Sequence, residues 1–217
     1  MYPLTYQADY VEARNRWTVG FRLILAIPWL ILAYVYMIAV SVTVLLAWFA
    51  LVFTGRYPQG LYNFNAGFLR FFGRFYGWAY LQTDVYPPFG FEPAPSYPVR
   101  IDVAPAQESY SRLKVFFRPI LALPLYFVLY VVGGIHNGGS FLSWLAIVFT
   151  GRQPAGVHNL LTLTNGYLVR VGAYLMLMTE TYPPLSNQDV APTLPSLPAG
   201  QQQAALPTEQ PAQPEEA

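Results

Sequence analysis

Apolar residues in this chain run together in two long blocks. Residues 23–55 and 119–151 contain no Asp, Glu, Lys or Arg. Each block is far longer than the ~18 uncharged apolar residues that mark a candidate membrane span. A basic lead-in precedes each one: Arg14, Arg16 and Arg22 in the first, Arg112, Lys114 and Arg118 in the second. Each closes on the same word, Phe53-Thr54-Gly55-Arg56 and Phe149-Thr150-Gly151-Arg152. As one straight helix a block would measure ~50 Å, against ~30 Å for a hydrocarbon core. Each is therefore expected to turn. The stretch 133–140, Gly-Gly-Ile-His-Asn-Gly-Gly-Ser, reads as that turn by composition. Its counterpart, 37–44, is apolar and lacks the signal, but a helical hairpin is expected in both. The second limb, 141–151, is short enough to be tilted or re-entrant. Pro28 and Pro124 fall within the first limbs and are expected to kink them.

The blocks belong to a repeat. Positions 16–88 align on 112–184 without a gap. Phe21-Arg22 falls on Phe117-Arg118, Ile24-Leu25-Ala26 on Ile120-Leu121-Ala122, Pro28 on Pro124, and Trp48 on Trp144. Arg74 falls on Arg170, and Tyr86-Pro87-Pro88 on Tyr182-Pro183-Pro184. Duplicated units arranged about a pseudo-twofold axis are common in membrane transporters. A plain duplication that enlarges a small bundle explains the pattern equally well. Ahead of each block lies a short strand-like stretch, 4–10 and 99–103, bounded by Pro and aromatic residues. One such strand is marginal alone, so the two are expected to pair across the pseudo-dyad.

A third segment follows in each unit, 61–83 and 157–179. On a helix, Asn63, Gly67, Arg70, Arg74 and Gly77 form one stripe, and Phe64, Phe68, Phe71, Phe72, Phe75 and Tyr76 fill the other faces. That pattern predicts an interfacial amphipathic helix with aromatic anchors. The alternative is a spanning helix that carries Arg74 and Arg170 into the bundle interior. Domain bounds follow: repeat one 1–88, a Pro-rich connector 89–96, repeat two 97–185, and a disordered Pro/Gln/Ala tail 186–217.

Composition agrees with a membrane assignment. Hydrophobic residues make up 54% and charged residues only 11%, against about 25% charged in soluble domains. The net charge of +1, without a basic run, argues against a nucleic-acid partner. Cysteine is absent, which excludes disulfides, thiolate metal sites and Cys nucleophiles. The first block is too long for a cleaved signal, and its copy recurs in mid-chain, so it reads as a retained anchor. With two crossings per block, all basic lead-ins share one face, and the positive-inside rule makes that face, with both termini, cytoplasmic.

Candidate chemistry is sparse. His136 and His158 are the only histidines, and their counterparts are Val40 and Tyr62, so neither belongs to the repeated pattern. His136 is expected in a solvated turn. No nucleophile elbow, phosphate loop or zinc-protease motif occurs, and no catalytic residue, metal site or cofactor is assigned. Arg56 and Arg152 are candidates for binding anionic lipid, through the bidentate fork of the guanidinium. The same words also read as helix ends, with Gly55 and Gly151 as C-terminal caps. Arg74 and Arg170 are further lipid- or anion-binding candidates, or ion-pair partners of Asp84, Glu180, Asp9 or Asp102. Trp48 and Trp144 read as interface anchors, and Pro28 and Pro124 as structural.

The Arg-x₅-Arg lead-in, the Ile-Leu-Ala-x-Pro core, the Trp-x-Ala-x-Val-Phe-Thr-Gly-Arg-x-Pro-x-Gly word and the Tyr-Pro-Pro end resemble a bacterial family of small membrane proteins. The family is catalogued as a domain of unknown function, often in tandem, and some members carry a lipase label. The resemblance covers about residues 10–185 and implies a bacterial inner-membrane location but no activity. The expectation is thus an all-α integral membrane protein. It would have two repeats of a helical hairpin plus an amphipathic helix, strands outside the membrane and a disordered tail. Its expected role is non-catalytic binding of membrane lipids or of a membrane partner, which includes a second copy. A small transporter or channel is the alternative, followed by a lipid-directed hydrolase.

Overall fold

The computed structural model describes residues 2–186, so the tail expected over 186–217 lies almost entirely outside the described residues. Eight elements run in the order β1 (Leu4–Ala8), α1 (Arg16–Thr54), α2 (Gln59–Ala79), β2 (Val99–Val103), α3 (Arg112–Phe116), α4 (Arg118–Leu121), α5 (Leu123–Thr150) and α6 (Ala155–Leu175).

Both charge-free blocks are helical throughout, and the expected hairpins do not form. α1 continues through Pro28 and across residues 37–44. The Gly-rich stretch 133–140 is helical within α5. Each peptide group along this run is served within the helix, so the turn preference of glycine is not expressed. Unit two does break, but earlier. Phe117 and Ala122 separate α3, α4 and α5. Pro119 and Pro124 stand in the first turns of α4 and α5, where a missing N–H costs nothing. Pro124 is therefore a helix start and not a mid-helix kink.

The repeated Thr-Gly-Arg word is a helix terminus, as its sequence suggests. Gly55 and Gly151 adopt left-handed φ values of 71° and 72°, and their N–H groups return to Leu51 O and Ile147 O at 2.8 Å. Thr54 Oγ1 donates to Ala50 O and accepts from Arg56 N, and Thr150 does the same with Ala146 and Arg152. At the other end Asn15 caps α1 by accepting from Trp17 N.

The strands pair antiparallel in the register Leu4↔Val103, Tyr6↔Ile101, Ala8↔Val99. The lead-in words Tyr2-Pro3-Leu4 and Tyr97-Pro98-Val99 match one residue out of step with the rest of the repeat, which makes Tyr6 and Ile101 counterparts; they are the centre of this ladder, so a local dyad runs through it. The same dyad passes between α2 and α6: a Cβ on Gly73 would stand 2.9 Å from Ile101 and 3.4 Å from Val169, the counterpart of Gly73. It continues between the long helices, which lie antiparallel. Tyr110 N donates to Gly55 O and Arg14 N to Gly151 O, both at 2.9 Å. Trp48 Nε1 reaches Val115 O at 3.2 Å, and Val19 packs on Ile147. Each unit thus closes its helix end against the lead-in of the other.

The result is three layers along the dyad: α1 with α3–α5, then α2 with α6, then the two-stranded sheet and connector. The middle layer is the core. Trp29 of α1 stacks against Phe71 and Phe75 of α2, while Tyr6, Val99 and Ile101 cover the opposite side of α2 and α6. The third segments are therefore buried between two layers, not laid on a membrane surface. The expected polar stripe faces the sheet and connector: Gly67 contacts Phe91, and Gly77 contacts Val99 and Tyr6. Two residues beyond the ends of α2 and α6 stand the counterparts Leu81 and Leu177, both buried and both left-handed (φ 68° and 62°). That conformation is costly for a side-chain-bearing residue and persists where packing holds it.

Candidate functional site

The α1/α5 layer has one covered face and one bare face. The covered positions of α1 are few, Trp29, Ala33, Val40, Ala47 and Leu51 among them. Its bare face carries Leu23, Ile24, Ile31, Ile38, Leu45 and Phe53, each more than half exposed. On α5 Leu123, Phe127, Tyr130, Phe141 and Phe149 stand out in the same way. No charged residue interrupts this surface over 23–55 and 119–151. Soluble monomers rarely expose a contiguous apolar patch beyond a few hundred Å². Two helices, Arg16–Thr54 and Arg118–Thr150, are long and apolar enough to cross a membrane by length and composition.

Between the long helices a slot of about 580 Å³ opens, floored by α2 and α6. Met37, Val40, Tyr126 and Leu129 form its sides, and Phe68, Phe72 and Val171 its floor. It adjoins a second hollow of about 530 Å³ bounded by Trp48, Arg118 and Pro119, and the two share Ser41, Val44, Tyr126 and Leu175. Volumes of this order suit a small ligand or one hydrocarbon chain, and the walls offer almost nothing polar.

The four sequence-selected arginines divide into two kinds. Arg56 and Arg152 are exposed at opposite ends of the slab. Arg152 stands 3.5 Å from Glu12, with both side chains mostly in solvent, a pair worth ~0–1 kcal/mol. Close by are Arg112, against Gly55, and Arg16, against Gly151. Arg74 and Arg170 are buried and do not bond the expected carboxylates. Arg74 donates to Glu92 O at 2.7 Å and to Gly90 O; Arg170 Nη1 donates to Pro184 O at 2.8 Å and Ser186 O at 2.9 Å. They pin the segments that follow each Tyr-Pro-Pro turn, whose carbonyls have no helix to bond within. Burial holds the Arg74 pKa below the usual guanidinium value.

Arg22 and Arg118 have the sequence setting of a basic lead-in, but both are buried. Arg22 donates to Trp78 O, to Thr83 O at 3.2 Å and to Asp84 Oδ1 at 2.8 Å, and its guanidinium lies over the Trp78 ring. Arg118 donates to Thr179 O at 2.9 Å and sits 3.9 Å from the centre of the Tyr174 ring. Asp84 also accepts from Asn15 N, and Glu180 from Ser111 N, so each acid caps the first helix of its own unit. Trp48 is half-buried on the Val115 carbonyl, which makes it an internal strut; Trp144 remains exposed, stacked on Phe141.

One side of the dyad holds a buried polar network. Gln82 Oε1 accepts from Tyr6 Oη and Asn165 Nδ2, and Gln82 Nε2 donates to Thr162 Oγ1 at 2.8 Å. Arg14 donates to Gln82 O and to Gln153 Oε1, and Gln153 Nε2 donates to Ser143 Oγ at 2.9 Å. The counterparts of Gln82, Thr162 and Asn165 are Met178, Ala66 and Leu69, which are apolar. His158 Nε2 bonds Ala8 O at 3.2 Å. His136, expected in a solvated turn, is buried in α5 against Tyr80, with Nδ1 2.8 Å from Thr164 Oγ1. A helix in place of the turn points it inward. Among the described residues no cluster of His, Cys, Asp or Glu is able to hold a metal ion. Ser143 is bonded to Gln153 and not to a histidine, so no nucleophile–base pair forms there.

Fold and surface together define a class: a duplicated, two-unit helical protein that leaves one face of its long helices apolar and bare. Within that class, the profile of the domain of unknown function DUF4389 matches the chain twice, over residues 16–90 and 112–186, and the protein belongs to that family. No curated protein and no solved structure matches the chain.

Proposed function

We propose that this protein is a non-catalytic lipid-binding module of a bacterial inner membrane. The bare face of α1 and α5 meets acyl chains, and the exposed arginines at the slab ends, Arg56 and Arg152, meet anionic headgroups. The bare apolar face carries this reading: it is continuous and charge-free, and it is bordered at both ends by Arg or Lys. The slot between the long helices supports it further, since a chain from the lipid phase fits its volume and its apolar walls. The transporter reading loses its main support, because Arg74 and Arg170 are engaged by main-chain carbonyls. A lipid hydrolase would need an activated nucleophile, but Ser140 Oγ donates to the His136 carbonyl at 2.9 Å, and the hydroxyl that meets the His136 ring, Thr164 Oγ1, is buried.

The test is lipid content after mild-detergent purification, for wild type and for Arg56→Ala with Arg152→Ala. Selective loss of anionic phospholipid from the double variant, with total lipid little changed, supports headgroup binding. Identical anionic content in both proteins overturns it.

A further inference from the structure

We infer that the protein sits in one leaflet, with α1 and α5 lying along the membrane plane and the pseudo-dyad along the membrane normal, and does not cross the bilayer. The inference rests on the reading that the α1/α5 face meets lipid, and adds the orientation of that face.

The argument starts from what lies level with the middle of the long helices. The dyad that relates the units passes between α1 and α5, between Gly73 and Val169, and between Tyr6 and Ile101. If α1 stood upright in a bilayer, the sheet would therefore lie at mid-depth. Among the described residues that sheet has two strands, so each has an edge with no described strand beside it. Its outer side carries Arg100 and Asp102, and Arg100 pairs with Asp9 at 2.6 Å with both side chains partly in solvent. Open strand edges and exposed ion pairs do not occur at hydrocarbon depth in contact with lipid. Rotating the molecule so that the dyad follows the normal removes the conflict. The sheet then points to water, two layers away from the lipid.

Two further observations favour the same orientation. The charge-free part of α1 is continuous and ~50 Å long, which overshoots a ~30 Å core when upright, but a helix in the plane has no such limit. The basic residues are also shared between the two ends of the slab. Arg16 and Arg152 lie at one end and Arg56 and Arg112 at the other. An upright orientation would place positive charge on both faces of the membrane, against the positive-inside bias. In the plane, all four meet headgroups of the same leaflet.

The absence of cysteine allows a direct test in the full chain. Single cysteines replace Val11, beside the first end of α1, Gln59, beyond its second end, and Asp102, on the sheet. All three positions are exposed. Right-side-out and inside-out membrane vesicles are treated with an impermeant maleimide, and total cysteine is measured after detergent. The expected result is that all three react from one and the same side, at yields near the detergent value, and none from the other. Val11 and Gln59 reacting from opposite sides, or each from both, overturns the single-leaflet orientation and leaves the lipid-binding reading intact. Recovery of the protein in the soluble fraction, with no membrane pool, overturns both.

Discussion

Replacing Gln82 by methionine, the residue its counterpart position 178 carries, tests how the asymmetric core is held together. The Gln82 side chain is fully buried and serves three partners: it accepts from Tyr6 Oη and Asn165 Nδ2 and donates to Thr162 Oγ1. Methionine fills a similar volume but bonds none of them. Thr162 keeps its bond to His158 O at 2.9 Å, so its loss is small. Tyr6 Oη and Asn165 Nδ2 are left with only each other, at 3.4 Å. A buried polar group without a partner costs about 1–3 kcal/mol, so two weakly partnered groups predict a loss of about 2–5 kcal/mol. For a chain of this size each kcal/mol moves Tm by about 2–4 °C, so a fall of at least ~4 °C is expected in detergent-solubilised protein, read by near-UV circular dichroism. Adding Tyr6→Phe and Asn165→Leu, the latter again matching the other unit, removes the stranded groups and should recover much of the loss. A Gln82→Met protein within about 1 °C of wild type, or a triple variant less stable than the single one, would refute the reasoning.

Two other perturbations probe the packing between layers. A Cβ at Gly77 would stand 2.7 Å from Val99 Cγ2 and 2.9 Å from Tyr6 Oη, whereas Gly20 has nothing within 4 Å. Gly77→Ala should cost about 1–3 kcal/mol in denaturant unfolding and Gly20→Ala should gain roughly 0.5–1 kcal/mol, so equal shifts would contradict the packing described. Burial lowers the pKa of His158, an effect strengthened by Arg14 and partly countered by its bond to the Ala8 carbonyl and by Asp9. The unfolded chain then binds the proton more readily, so this contribution is level above pH ~6.5 and stability falls as pH drops from there toward the lower folded value. Wild type should lose up to about 1 kcal/mol more than His158→Gln between pH 7.5 and 5.5; parallel losses would show that His158 is not the buried neutral group described.

Much of the fold is legible in the chain because the same message is written twice. The repeat phase rests on identities spread along both units, the Gly55 and Gly151 helix ends on a C-terminal cap signal, and the strand pairing on a short stretch, bounded by Pro and aromatic residues, that recurs ahead of each block. The hairpin is where reading fails, and the reason is physical. A length limit applies only to a helix that stands upright in a bilayer, and Gly133 to Gly139 mark a turn by composition although the helix serves their amides within itself. The buried arginines fail for a different reason. Arg22 and Arg118 sit in a basic cluster that looks like a surface lead-in, and most of their partners are carbonyls, of Trp78, Thr83 and Thr179, which carry no side-chain signal; Asp84, which pairs with Arg22, is the exception. Leu81 and Leu177 hold a conformation that sequence ordinarily marks with glycine. Of the site, Arg56 and Arg152 are visible as charges at the block ends. The slot is not, because it depends on two helices from different units lying antiparallel.

The most direct measurement places nitroxide labels at Ile24, Ile31, Ile38 and Leu45, which share one bare stripe of α1, and compares collisions with oxygen and with a water-soluble nickel complex in reconstituted bilayers. The account predicts high oxygen access, little nickel access and nearly equal depth at all four sites. Strong nickel access at these positions would contradict the central claim that this face lies in lipid.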